Sequence, residues 1–68
     1  MTKNQFRAIL KRDNLTQALT AKLLGVSLRS VQDYAIGRTE VPETVARLLL
    51  LIVGELTVEE LLENLSKS

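Results

Sequence analysis

Four side chains on one helical face hold most of the chemistry this chain can offer: Leu28, Arg29, Gln32 and Asp33. Their spacing of i, i+1, i+4 and i+5 turns them to the same side of an α-helix. That chemistry is recognition rather than catalysis. A guanidinium fork such as that of Arg29 matches guanine O6 and N7 in a DNA major groove, and the amide of Gln32 matches adenine N6 and N7. Asp33, one turn beyond Arg29, can hold the guanidinium in place or accept from a cytosine amino group. Leu28 can touch a thymine methyl. The plain alternative for Arg29 and Asp33 is a solvated i,i+4 ion pair contributing a few tenths of a kcal/mol. An exposed aspartate on a surface meant for phosphate would repel it, which favours a specific role for this one.

Other chemistries are poorly provided for. The chain has no histidine and no cysteine. The usual general base near neutral pH is therefore missing, as are the imidazole and thiolate ligands of zinc sites and any disulfide. No paired carboxylates suggest a cleft, so neither enzyme, metal, cofactor nor small-molecule ligand is expected. Single-strand binding by base stacking is also disfavoured, because Phe6 and Tyr34 are the only aromatics and stand far apart in sequence.

The elements that must position the four residues can be read from capping signals. Thr16 suits the N-cap of a helix over about 17–24, and Ser27 that of a second over about 28–36, since each hydroxyl can accept from an orphan backbone N–H. Gly25 and Gly37 sit where these helices must stop, and glycine tolerates the left-handed conformation that ends them. Two helices joined by a short turn containing glycine form a helix-turn-helix, here about 16–37. Ala21 is small enough to let the two helices approach. Leu24, Val26, Val31 and Tyr34 are spaced to meet inside the corner, with Ala35 beside them. The outer face carries Leu28, Arg29, Gln32, Asp33 and Ile36.

This stretch resembles the helix-turn-helix of the phage repressor and Cro type. The residues that carry the resemblance are Leu15-Thr16-Gln17, Ala21, Leu24-Gly25-Val26-Ser27, Ser30-Val31, Tyr34 and Gly37-Arg38, with Pro42 following. It covers most of the chain and implies an all-α, five-helix lambda-repressor-like domain that places its third helix in the major groove. Gln17 then contacts the DNA backbone from the start of the second helix, where free N–H groups favour phosphate. Thr16 and Ser27 join that set from the two helix starts. Arg38 and Thr39 lie in a loop that follows the sugar-phosphate backbone in this family. Two positions depart from the pattern. Thr20 stands where the family usually has a buried aliphatic residue. Ala35 stands where it often has a glutamate paired with a first-helix arginine, and the first-helix counterpart here is Leu10. An apolar Leu10–Ala35 contact can replace such a pair.

The remaining chain is compatible with this plan. Thr2 and Gln5 form a capping box for a first helix that runs to about Arg12 with Phe6, Ile9 and Leu10 on its apolar stripe. Asp13-Asn14 ends it. Pro42 suits the first turn of a fourth helix reaching about Val53, with Gly54 as its stop. Thr57 and Glu60 form a second capping box for a fifth helix fading near Leu65. The fourth helix is apolar nearly all round, through Val45 and Leu48 to Val53, and must be buried on several sides. Val58, Leu61, Leu62 and Leu65 are expected to cover part of it, and a homodimer interface the rest. The helical carboxyl half, 42–65, thus serves core and dimerisation within one 1–68 domain. A chain of 68 residues buries only roughly 60% of its unfolded surface, so oligomerisation would supplement its core.

Net charge is +1, but it is unevenly spread. Residues 1–40 carry seven basic against three acidic side chains, a net of +4, while residues 41–68 carry two against five, a net of −3. The basic half contains the helix-turn-helix and the acidic half would face away from phosphate. Lys3, Arg7 and Lys22 read as general solvation. No export signal is visible, and the apolar run 48–53 is far shorter than the ~20 residues that span a bilayer. A cytoplasmic protein is expected. The residues therefore point to a sequence-specific regulator of double-stranded DNA, a dimeric repressor on a pseudo-palindromic operator. The competing reading is a protein-interaction module on the same fold, such as an antitoxin or coregulator gripping its partner through the apolar carboxyl half.

Overall fold

Thr2 opens the first helix by a reciprocal cap: its Oγ1 accepts from the Gln5 backbone N–H at 3.1 Å, and Gln5 Oε1 accepts from the Thr2 N–H at 2.9 Å. A computed structural model describes residues 1–55, 57, 59, 60, 62 and 63, and among these it contains four helices and no strand. They are α1 (Lys3–Arg12), α2 (Gln17–Leu24), α3 (Leu28–Ile36) and α4 (Glu43–Ile52). Lys11 and Arg12 occupy the last turn of α1, where cations complement the helix dipole. The chain then turns through Asn14, whose φ of 56° is a conformation asparagine tolerates better than most residues.

The first three helices have the expected bounds. Thr16 Oγ1 accepts from Leu19 N–H at 3.0 Å, and Ser27 Oγ accepts from Ser30 N–H at 3.1 Å. Gly25 and Gly37 close α2 and α3 in the left-handed region, with φ of 70° and 78°. The start of α4 differs by one position. Pro42 is its N-cap rather than its first helical residue, because its ψ of 147° is extended, and its carbonyl accepts the first helical bond from Ala46 N–H at 2.9 Å.

Helix α3 packs against both α1 and α2, and α4 packs against α2. Phe6, Val31, Leu49 and Thr20 are the largest fully buried side chains. Phe6 and Tyr34, far apart in sequence, meet edge to face with ring centroids 5.8 Å apart and an interplanar angle of 79°, a favoured arrangement of aromatic quadrupoles. Leu10 and Ala35 are both buried in the same apolar cluster. Ala21 and Leu24 join that cluster, and Val26 packs at its edge. Thr20 keeps its hydroxyl satisfied without a distant partner: Oγ1 donates to the Thr16 carbonyl at 2.7 Å, one turn back in the same helix.

Helix α4 buries Ala46 and Leu49, but Leu48 and Ile52 remain exposed on one flank. The expected cover by Val58, Leu61 and Leu65 lies outside the described residues, as does much of the fifth helix over 57–65. Within that stretch, Thr57 Oγ1 accepts from Glu60 N–H at 3.1 Å, as a helix start requires. Leu62, the described member of that set, is 60% exposed. Arg12 ties the end of α1 to the segment after α4: its guanidinium pairs with Glu55 and, locally, with Asp13 at 2.8 Å. The hydrogen bond to Glu55, and then that to Asp13, hold this guanidinium above its ordinary pKa. No described helix is long and apolar enough to cross a membrane.

Candidate nucleic-acid interface

The turn between α2 and α3 is built almost wholly from local backbone bonds. The Gly25 and Val26 N–H groups both donate to the Ala21 carbonyl, and Ser27 restarts helical structure two residues after Gly25. With Val31, Tyr34 and Ala35 buried against α1 and α2, the opposite face of α3 is left uncovered. Leu28, Arg29 and Gln32 are exposed there, together with Ile36.

Asp33 differs from its neighbours on that face. Its side chain is 18% exposed, against 70% for Arg29, and its Oδ1 accepts from Arg29 Nε at 3.3 Å. Its backbone carbonyl accepts from Arg38 N–H at 2.9 Å and Thr39 N–H at 3.4 Å. One residue therefore anchors both the projecting guanidinium of α3 and the loop that follows Gly37. This geometry suits Asp33 as a positioning group better than as an acceptor for a base.

The remaining expected contacts, Thr16, Gln17, Ser27, Arg38 and Thr39, are all exposed. Thr16 and Ser27 spend one acceptor each on their caps, and Ser27 also shares a 3.0 Å hydroxyl contact with Ser30. Gln17 makes no side-chain hydrogen bond among the described residues, so its amide is available to a ligand. The amino ends of α2 and α3 and the loop after α3 thus present free polar groups, and Arg38 carries no ion pair among the described residues.

Two further features depend on the tertiary fold. The stem of Lys3 lies across Gly37: a Cβ placed on that glycine would fall 2.8 Å from Lys3 Cδ. A groove of about 780 Å³ separates α1 from α4, floored by Ile9, Ala46 and Leu50. Its rim cations are already engaged, Arg12 by Glu55 and Asp13, Arg47 by Glu43 at 2.8 Å. No group of histidine, cysteine or acidic residues suited to a metal occurs among the described residues. Comparison with protein-family models, curated proteins and solved structures returns no match.

Proposed function

We propose that this chain is a sequence-specific, double-stranded DNA-binding transcriptional regulator of the phage repressor and Cro type. In this reading the domain is lambda-repressor-like, and a fifth helix over 57–65 completes it. Two copies act as a repressor on a pseudo-palindromic operator, each laying α3 in the major groove. The observation that carries the proposal is the uncovered face of α3. It projects an exposed arginine braced by Asp33, directly after a glycine turn that packs its opposite face into the core.

Each residue then has a task. Arg29 reads a guanine, Gln32 an adenine or a phosphate, and Leu28 a thymine methyl. Asp33 orients Arg29. Thr16, Gln17 and Ser27 meet phosphates at helix starts, where free N–H groups favour anions. Arg38 and Thr39 contribute affinity along the backbone without sequence information. Selection of bound sites from random duplex DNA tests the proposal. Enrichment of an inverted repeat supports it, and recovery of no preferred sequence defeats it.

A second reading draws on the exposed Leu48 and Ile52 of α4. As a partner-binding module, for example an antitoxin or coregulator, the chain would grip another protein through its apolar carboxyl half. Salt separates the two readings. Phosphate contacts make DNA affinity fall steeply with ionic strength, whereas a partner-binding module shows little DNA affinity at any salt.

A further inference from the structure

We propose that Lys3, seated over Gly37 in a recess it shares with Thr39, is an additional phosphodiester-binding residue of the DNA interface. The inference rests on the DNA-binding reading and extends that interface from the helix-turn-helix onto α1. In sequence Lys3 lies 34 positions from Gly37 and resembles any solvated lysine near a chain end. The fold changes its meaning, because the packing of α1 on α3 brings the two together.

Gly37 is what allows the approach. It adopts the left-handed φ that closes α3, and its missing side chain leaves room for the lysine stem. A stem laid on backbone keeps the charged head in water while restricting where it emerges. The ammonium is only two bonds beyond Cδ, so it stays close to the start of the loop. Lys3 and Thr39 also line one recess, which includes Tyr34 and Val41.

Charge supports the same assignment. Arg12, Arg29 and Arg47 are each paired with a carboxylate, but Lys3 makes no ion pair among the described residues, although Glu40 lines the same recess. A cation whose stem already lies on backbone, and which carries no ion pair among the described residues, is available to phosphate. Lys11 offers a matched control. It lies eight residues further along α1, roughly 12 Å away at 1.5 Å per residue.

The test titrates the wild-type protein and the variants Lys3→Met, Lys3→Arg and Lys11→Met with a fluorescent random-sequence duplex at several salt concentrations. Methionine keeps a stem over Gly37 and removes the charge. One phosphate contact contributes ~0.9 to the slope of log K against log salt, equivalent to about eightfold in affinity near ~0.1 M salt. Lys3→Met should lose that slope and that affinity, while Lys3→Arg and Lys11→Met retain the wild-type slope. An unchanged slope in Lys3→Met, or equal losses in Lys3→Met and Lys11→Met, overturns the assignment while leaving the DNA-binding reading in place. Failure of the wild-type protein to bind duplex at any salt defeats the DNA-binding reading and this assignment with it.

Discussion

Arg29 and Asp33 form an unequal pair: Nε and Oδ1 are 3.3 Å apart, yet the arginine is largely exposed and the aspartate largely covered. The covered partner anchors and the exposed partner projects. As an ion pair alone this contributes only a few tenths of a kcal/mol to folding. In the proposed interface its larger consequence is pre-organisation of a guanidinium that would otherwise lose rotamer freedom on binding.

That inequality sets the expected mutational pattern. Arg29→Ala should weaken binding to the preferred site by ~1–3 kcal/mol and relax preference at one base pair, whereas Arg38→Ala should weaken all duplexes alike. Asp33→Asn should lower discrimination through loss of the brace, and raise affinity for random duplex by removing a negative charge close to Arg29. Titrations with preferred and scrambled duplexes check all three. If Asp33→Asn kept full discrimination, Asp33 would not be the brace.

The two glycines that close α2 and α3 make a second comparison. At Gly25 an added Cβ meets nothing within 4 Å, so Gly25→Ala should cost only the left-handed backbone strain of ~1–2 kcal/mol. Gly37→Ala carries the same strain and must also displace the Lys3 stem. Thermal denaturation should therefore rank Gly37→Ala at or below Gly25→Ala in stability. Chemical denaturation should give the same order, and its reversal would show that the Lys3 stem does not pack on Gly37.

Thr20 offers a test of core tolerance. Among the described residues its hydroxyl bonds only to the Thr16 carbonyl, which also accepts from the Thr20 backbone N–H at 2.9 Å. Thr20→Val leaves that carbonyl satisfied and exchanges a net hydrogen bond of ~0.5–1.5 kcal/mol for a similar gain in apolar burial. Stability in urea should change by less than about 1 kcal/mol. A loss beyond ~2 kcal/mol would mean that the hydroxyl serves the core in some further way.

Much of this architecture was legible because its signals are short-range. Thr16, Gly25, Ser27 and Gly37 each act on backbone groups within a few residues, so the bounds of α2 and α3 could be read directly. Pro42 is the N-cap rather than the first-turn residue that its sequence context suggests, since proline fixes φ but leaves ψ to decide between the two. The Arg12–Glu55 pair joins residues 43 positions apart and exists only once α1 and α4 are placed, which no local pattern encodes. The same holds for Lys3 over Gly37 and for Phe6 against Tyr34. Within the candidate site, the outer face of α3 was readable from periodicity. The covering of Asp33 was not, because it depends on packing around α3 that periodicity does not describe.

The apolar flank of α4 leads to the expectation of a dimer. Leu48 and Ile52 are exposed, and the chain has no cysteine with which to form a disulfide. One recognition helix reads few base pairs, so two protomers on half-sites ~34–36 Å apart are the expected assembly. Sedimentation with and without a selected duplex should show two protomers per site at saturation. A single protomer on a site lacking inverted symmetry would remove the dimer from the account.

Sequence-specific recognition of duplex DNA is read from the ratio of two affinities. The Kd for the duplex enriched by selection is measured beside that for a scrambled duplex of equal length, both at physiological salt. The enriched site is expected to be preferred by at least ~10³-fold. Equal affinities for the two duplexes would contradict it.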